Sequence, residues 1–172
     1  VRKAEKLGLE IRPETAADFL EDYWAMSLQT FSKANIEPTH SQQFVVELWR
    51  RLNPLNQVLA LSAFHGDRRI ATLVLPHDDR TMFYWGGASY TEFREVPSHN
   101  LLHWRAVTQA RSMGLAEYDF ISTKGGPGRF KSTFGPRAID VATHWERSSS
   151  KFMASLKQKY ERFLRKRRQI AR

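Results

Sequence analysis

The chain has 172 residues, 41% of them hydrophobic and 12% aromatic, with no cysteine. That length suits one domain able to bury roughly two-thirds of its unfolded surface, and the missing cysteines exclude disulfides, thiolate metal sites and a cysteine nucleophile. The net charge of +9 is lopsided: from Lys151 onward nine Lys or Arg face one acid, Glu161, so this segment carries +8 and the preceding 150 residues carry +1.

The opening Val1-Arg2-Lys3-Ala4-Glu5-Lys6 has no apolar stretch behind its charges, so it does not read as a secretory leader. No apolar run approaches the roughly 20 residues that span a bilayer. Without an initiator methionine the chain reads as a fragment of a longer protein. Residues 9–12 alternate apolar and polar, as a short strand does. A helix is expected from Thr15, with Asp18 three residues on in a capping-box-like arrangement, an apolar face of Phe19, Tyr23, Met26, Leu28 and Phe31, and an end before Asn35 and Pro38. Ser41 caps a second helix with Phe44, Val45, Leu48 and Leu52 on one stripe, stopped by Pro54. Residues 57–64, 69–75 and 81–89 read as an antiparallel meander, punctuated by His65-Gly66-Asp67 and by Pro76 with the polar turn behind it.

Pro97 and Ser98 open a third helix, with Leu101, Leu102, Val107, Ala110 and Met113 on its buried side and Gly114 as its stop. Residues 118–122 read as a buried strand, 124–136 as a glycine-rich loop with room for one helical turn, and 139–146 as a last strand. Beyond Ser148-Ser149-Ser150, Phe152, Met153, Leu156, Tyr160, Phe163 and Leu164 recur at helical spacing amid the basic residues. The order β-α-α-β-β-β-α-β-loop-β-α contains a crossover helix, which favours parallel pairing. The expected fold class is therefore α/β: a mixed central sheet in residues 1–147 with helices on both faces, and a basic amphipathic C-terminal helix over 148–172. Three uses fit that helix: docking by its apolar stripe with a solvated basic face, attraction to an anionic lipid or polyanionic substrate, and nucleic-acid binding without a groove-reading motif.

This order resembles the GCN5-related N-acetyltransferase (GNAT) fold, and within it the FemAB-like and BioF2-like acyltransferases. The resemblance rests on Arg2-Lys3-Ala4-Glu5-Lys6 before a Gly-x-x-x-Arg strand, and on Phe83-Tyr84-Trp85-Gly86-Gly87-Ala88-Ser89 before Pro97, Asn100 and Leu101-Leu102. Ala110 to Gly114 then leads into Tyr118-Asp119-Phe120, and Arg129-Phe130-Lys131 precedes Phe134-Gly135. It implies the C-terminal of two tandem domains in an enzyme that joins an acyl or aminoacyl group to an amine, often on a peptidoglycan or polysaccharide precursor of the cell envelope. It also implies a cytoplasmic location, peripheral at the inner face of the membrane. Acetyl-CoA-using members of the wider fold hold the cofactor's pyrophosphate on a glycine-containing loop at a helix N-terminus. Here Ser89-Tyr90-Thr91-Glu92-Phe93-Arg94-Glu95-Val96-Pro97 has no glycine and two acids, a departure that FemAB-like proteins share. Acyl-CoA and aminoacyl-tRNA both stay open as donors, and an envelope amine, an anionic membrane surface and tRNA as partners.

Acyl transfer to an amine needs an aimed neutral amine, a stabilised oxyanion and a held donor. Lys124-Gly125-Gly126-Pro127-Gly128-Arg129-Phe130-Lys131 offers glycines for close backbone approach and three cations for phosphate or oxyanion, or it is a flexible surface loop. Lys131 is the first candidate as oxyanion or phosphate partner. Asp119 is the second, to take the amine's proton or orient Lys131, or simply to pair locally. Tyr84 and Trp85, before the Gly-Gly pair, either mark a bulge that opens the sheet to a ligand or pack as core aromatics beside a kink. With Ser89, Asn100, Lys124, Arg129 and Phe130 they form the candidate substrate-binding set. His99 and His103 lie four apart, but no third ligand is visible, so no metal is expected. His99 reads as a surface residue.

Overall fold

The structure is a computed structural model that describes residues 1–33, 35–121 and 125–139. The chain runs α1 (Arg2–Lys6), β1 (Leu9–Pro13), α2 (Phe19–Lys33), α3 (Gln42–Leu52), β2 (Val58–His65), β3 (Arg68–Pro76), β4 (Thr81–Phe83), β5 (Gly86–Ser89), α4 (Ser98–Ser112), β6 (Glu117–Asp119) and α5 (Gly125–Ser132). Val1–Gly135 form one compact unit, and a second begins at Pro136, of which 136–139 are described, exposed and without regular structure. The expected strand at 139–146, the basic helix, the boundary at 147 and Lys124 lie outside the described residues.

The fold is α/β, with a sheet flanked by helices on both faces. Four strands pair antiparallel in the order β1-β2-β3-β5, and β4 pairs with β6 in parallel. Side chains that alternate along β2 and β3 feed two cores. On one face Leu61, Ala63, Leu73 and Leu75 pack with Ala4 of α1 and with Leu101, Leu102 and Ala106 of α4. On the other, Val58, Ala60 and Val74 pack with Phe19, Tyr23 and Met26 of α2 and Val45 and Trp49 of α3. No helix among the described residues is long and apolar enough to cross a membrane.

Five local expectations are corrected. The helix expected from Thr15 starts at Phe19, because the acids before it serve a different partner. Arg69, with a side chain only 12% exposed, draws Glu14, Asp18 and Asp22 around its guanidinium, and Tyr90 donates its hydroxyl to Asp22 at 3.0 Å. Residues 81–89 are two strands in different sheets rather than one. Strand 118–122 shrinks to β6, of which Tyr118 is half-buried and the ends are exposed; the buried residue is Phe120 beyond it. The glycine-rich loop contains the eight-residue α5. The stripe of α3 also turns, so that Trp49 is buried and Phe44 is 48% exposed, while Ser41 caps the helix as expected, accepting from the Phe44 amide at 3.2 Å.

Candidate active site

The two sheets part at Tyr84. Its amide donates to the Asp119 carbonyl at 2.8 Å, ending the β4–β6 pair, and the Trp85 amide folds back to the Phe83 carbonyl at 2.8 Å. That tight turn redirects the chain into β5, where Gly86 and Gly87 pair with Val74 and Leu73. Both glycines are sterically required. A methyl group on Gly87 would lie 2.7 Å from the Tyr84 hydroxyl and 2.8 Å from Leu73 Cδ2, and one on Gly86 would collide with the Tyr23 hydroxyl.

A cleft of about 370 Å³ opens at this parting, between α2, α3 and the end of β6. Tyr84, Trp85, Gly86, Gly87 and Lys131 line it together, with Ile121 beside them. Lys131 is 8% exposed. Its Nζ donates to the Phe120 carbonyl at 2.7 Å and stands 5.0 Å from the centre of the Tyr84 ring, a cation–π distance. Burial pushes the Lys131 ammonium below its usual pKa, and the Asp119 carboxylate works against that fall. The Asp119 Oδ1 accepts the Ile121 amide at 2.6 Å, which holds Ile121 at φ 65°. Such a conformation is costly for a β-branched residue, on the order of 1–3 kcal/mol. Burial drives the Tyr23 phenol up to about 12 and raises that of Tyr84, so both keep their protons at neutral pH and can donate into the cleft.

The other wall is aromatic. His40 lies on Trp85 with ring centres 5.1 Å apart and on Phe44 at 4.7 Å, the planes within 24° and 17°. Trp24 and Phe31 of α2 line the same space. Behind Tyr84, on the α4 side, His103 is fully buried. Its Nδ1 meets the Tyr118 hydroxyl at 2.8 Å, its Nε2 has no hydrogen-bond partner among the described residues, and Phe120, Phe130 and Phe134 surround it.

The structure thus brings Lys131, Tyr84 and Trp85 to one cleft. Asp119 sits at its edge with an exposed carboxylate committed to Ile121. Ser89, Asn100, Arg129 and Phe130 are not among the residues that line it; Arg129 is exposed, and Phe130 packs against His99 and His103. His99 is half-buried rather than a surface residue, and burial drives its pKa down to about 4. Among the described residues no group of three or more His, Asp or Glu is placed to hold a metal ion. Sequence reasoning assigned Tyr23 and Phe31 to a helix face without seeing that this face borders a cleft, and it passed over Trp24 and His40, which no motif marks.

A family model described as an acetyltransferase (GNAT) domain matches residues 1–132. No curated protein sequence matches the chain. Among solved structures, a possible acetyltransferase from Clostridium difficile 630 superposes with a TM-score of 0.67 at 8% identity, covering 83% of this chain and 99% of that one. A predicted acetyltransferase with acetyl-CoA from Clostridium acetobutylicum gives 0.62 at 11% identity, covering 82% and 96%. An aminoglycoside acetyltransferase from an uncultured soil metagenomic sample, in complex with sisomicin, gives 0.58 at 13% identity, covering 83% and 97%. At these identities the likeness is one of fold.

Proposed function

The chain belongs to the acetyltransferase (GNAT) domain family and is an N-acyltransferase, and from that premise we propose that it forms its amide in the cleft where the sheet parts, with Lys131 as the group that meets the developing charge. The amine nitrogen bonds to the acyl carbon, and the carbonyl oxygen takes up negative charge. The carbonyl re-forms as the donor's C–S or C–O bond breaks, and the proton shed by the nitrogen ends on the departing sulfur or oxygen, which leaves as a thiol or alcohol. The observation that carries this reading is the Lys131 ammonium at the cleft wall, held by the Phe120 carbonyl and the Tyr84 ring. A preset cation at a low-dielectric wall stabilises an oxyanion more than water does. The phenols of Tyr23 and Tyr84 are further donors at the same opening. Asp119 acts through Lys131, as the nearby negative charge that keeps it protonated.

The donor is an acyl-CoA. The acetyl-CoA carried by the Clostridium acetobutylicum neighbour supports this. Residues 89–97 still supply no glycine cradle for a pyrophosphate, and their two acids are already paired, Glu92 with Arg68 and Glu95 with Arg94. The acceptor is an amine of an envelope precursor, as the FemAB-like and BioF2-like motifs suggest, with aminoacyl-tRNA as the competing donor. Lys131→Met should lower kcat by about a hundredfold with KM little changed, measured with acyl-CoA and aminoacyl-tRNA offered in parallel. A change below about threefold would remove Lys131 from the chemistry.

A second reading draws on the charge of residues 151–172: a non-catalytic module that holds an anionic surface or RNA through that segment. Under it the same variant leaves the protein's function intact.

A further inference from the structure

The cleft is longer and more apolar than the transfer of an acetyl group requires. Tyr23, Trp24, Ser27, Thr30 and Phe31 of α2 all line it. A helix rises 1.5 Å per residue, so this wall runs for about 12 Å, about two turns. Trp24 and Phe31 stay half-buried there, as do Pro38 beyond the helix and Trp85 at the parting of the sheets, and Ile121 is 51% exposed. The folded chain therefore leaves apolar side chains from separate segments incompletely covered around one concavity, which is how a protein prepares a site for an apolar ligand. The Ser27 and Thr30 hydroxyls of the same wall donate to the carbonyls of Tyr23 and Met26 at 2.8 and 3.0 Å, so neither has a proton left to give a ligand.

Lys131 belongs to the same lining. With the acyl carbonyl at Lys131, the carbon chain that the carbonyl carries starts inside this cleft. An acetyl group ends in a single methyl, and most of the 370 Å³ would then hold water against apolar walls. A polar envelope amine suits the exposed Thr39 and His40 better than it suits the α2 wall. We infer that the donor's acyl group is an apolar chain of medium length, hexanoyl to octanoyl, and that Trp24, Phe31, Pro38, Trp85 and Ile121 form its pocket. This rests on the acyl-transfer reading of the cleft and names the donor class for it. In the step the amine nitrogen bonds to the carbonyl carbon of the chain and the C–S bond breaks. The proton from the nitrogen ends on the sulfur, so the products are a fatty amide and the free CoA thiol.

Isothermal titration of the full chain with acetyl-, butyryl-, hexanoyl- and octanoyl-CoA tests this. Affinity should rise by about two- to fourfold for each added methylene, so that hexanoyl-CoA binds at least about tenfold more tightly than acetyl-CoA. Thr30→Trp, a change at an exposed residue of the groove wall, fills the groove and should cut that ratio by about threefold or more. Ile121→Gly removes an apolar lining side chain while its glycine suits the φ of 65°, and it should cut the ratio in the same direction. Equal affinity along the acyl series, or a length dependence that neither variant changes, overturns the inference. A flat acyl series beside hexylamine binding about tenfold more tightly than ethylamine also overturns it and gives the pocket to the acceptor. Amide formation is assayed separately by mass spectrometry, with glucosamine and lysine as amines. Flat acyl affinities with amide still formed remove the chain pocket alone. Length-dependent binding that both variants weaken, with no amide from acyl-CoA or aminoacyl-tRNA, refutes the transfer reading and leaves the chain pocket standing.

Discussion

The imidazole of His103 lies among Tyr84, Phe120, Phe130 and Phe134, and burial, then the charges of His99 and Lys131, drive its pKa down to about 3 from 6.5. The unfolded chain therefore takes up a proton between these values that the folded chain refuses. Stability from this residue is full above pH 6.5 and is lost as pH falls toward 3, by about 1.4 kcal/mol per pH unit within the window. Chemical denaturation at pH 7.5 and 5.5 should show the native protein losing about 1.4 kcal/mol more than His103→Leu between the two; equal losses would mean that the imidazole is not held neutral. Little of this was legible beforehand. His103 was visible only as one of a histidine pair on a helix, because its surroundings come from four separate segments. Lys131 was legible for a local reason, as a cation in a glycine-rich run behind a strand. The fold added that it is 8% exposed and leans on Tyr84. His40 gave no signal because its partners, Phe44 and Trp85, lie on different elements.

Elements whose apolar period matches their geometry were read to within a residue or two: β2, β3, α3 and α4. Those set by tertiary contacts were not. The α5 sequence Gly-Gly-Pro-Gly-Arg-Phe-Lys-Ser is a poor helix former. It is tolerated because Pro127 falls in the first turn, where no intrahelical N–H is needed, and because Phe130 and Lys131 are anchored in the aromatic cluster and at the Phe120 carbonyl. The parting of β4 from β5 was suggested by Gly86-Gly87, but the turn itself is made by the backbone bonds of Tyr84 to Asp119 and of Trp85 to Phe83, and the glycines are needed because two tyrosine hydroxyls pack against them. α3 matters beyond its own stability, since its first turn carries Phe44 and Val45 and the residue before its cap is His40. Ser41→Ala removes the side-chain acceptor for the Phe44 amide and should cost about 1 kcal/mol. Because the lost order falls on one cleft wall, KM for the acceptor should rise while kcat holds, in contrast to Lys131→Met. Steady-state kinetics separates the two, and a kcat loss with KM unchanged would place α3 away from the acceptor.

At the scale of the chain, charge is sorted along the sequence. Residues 1–150 are close to neutral, and residues 151–172 carry +8. Near an anionic bilayer each Lys or Arg contributes about 1 kcal/mol, fading within a Debye length. A segment with nine such residues would hold the protein at a surface at low ionic strength and release it steeply as salt rises. The reading predicts that the full chain cosediments with vesicles of anionic lipid but not with neutral ones, and that a chain ending at Ser150 does neither. Lys131→Met should cosediment like the native protein. Salt dependence alone does not discriminate, since phosphates in RNA release counterions in the same way. Competition does: if equimolar tRNA strips the full chain from vesicles and the complex survives physiological salt, the segment serves nucleic acid and the membrane assignment falls; if tRNA leaves the vesicle-bound fraction unchanged, the basic segment serves an anionic membrane surface.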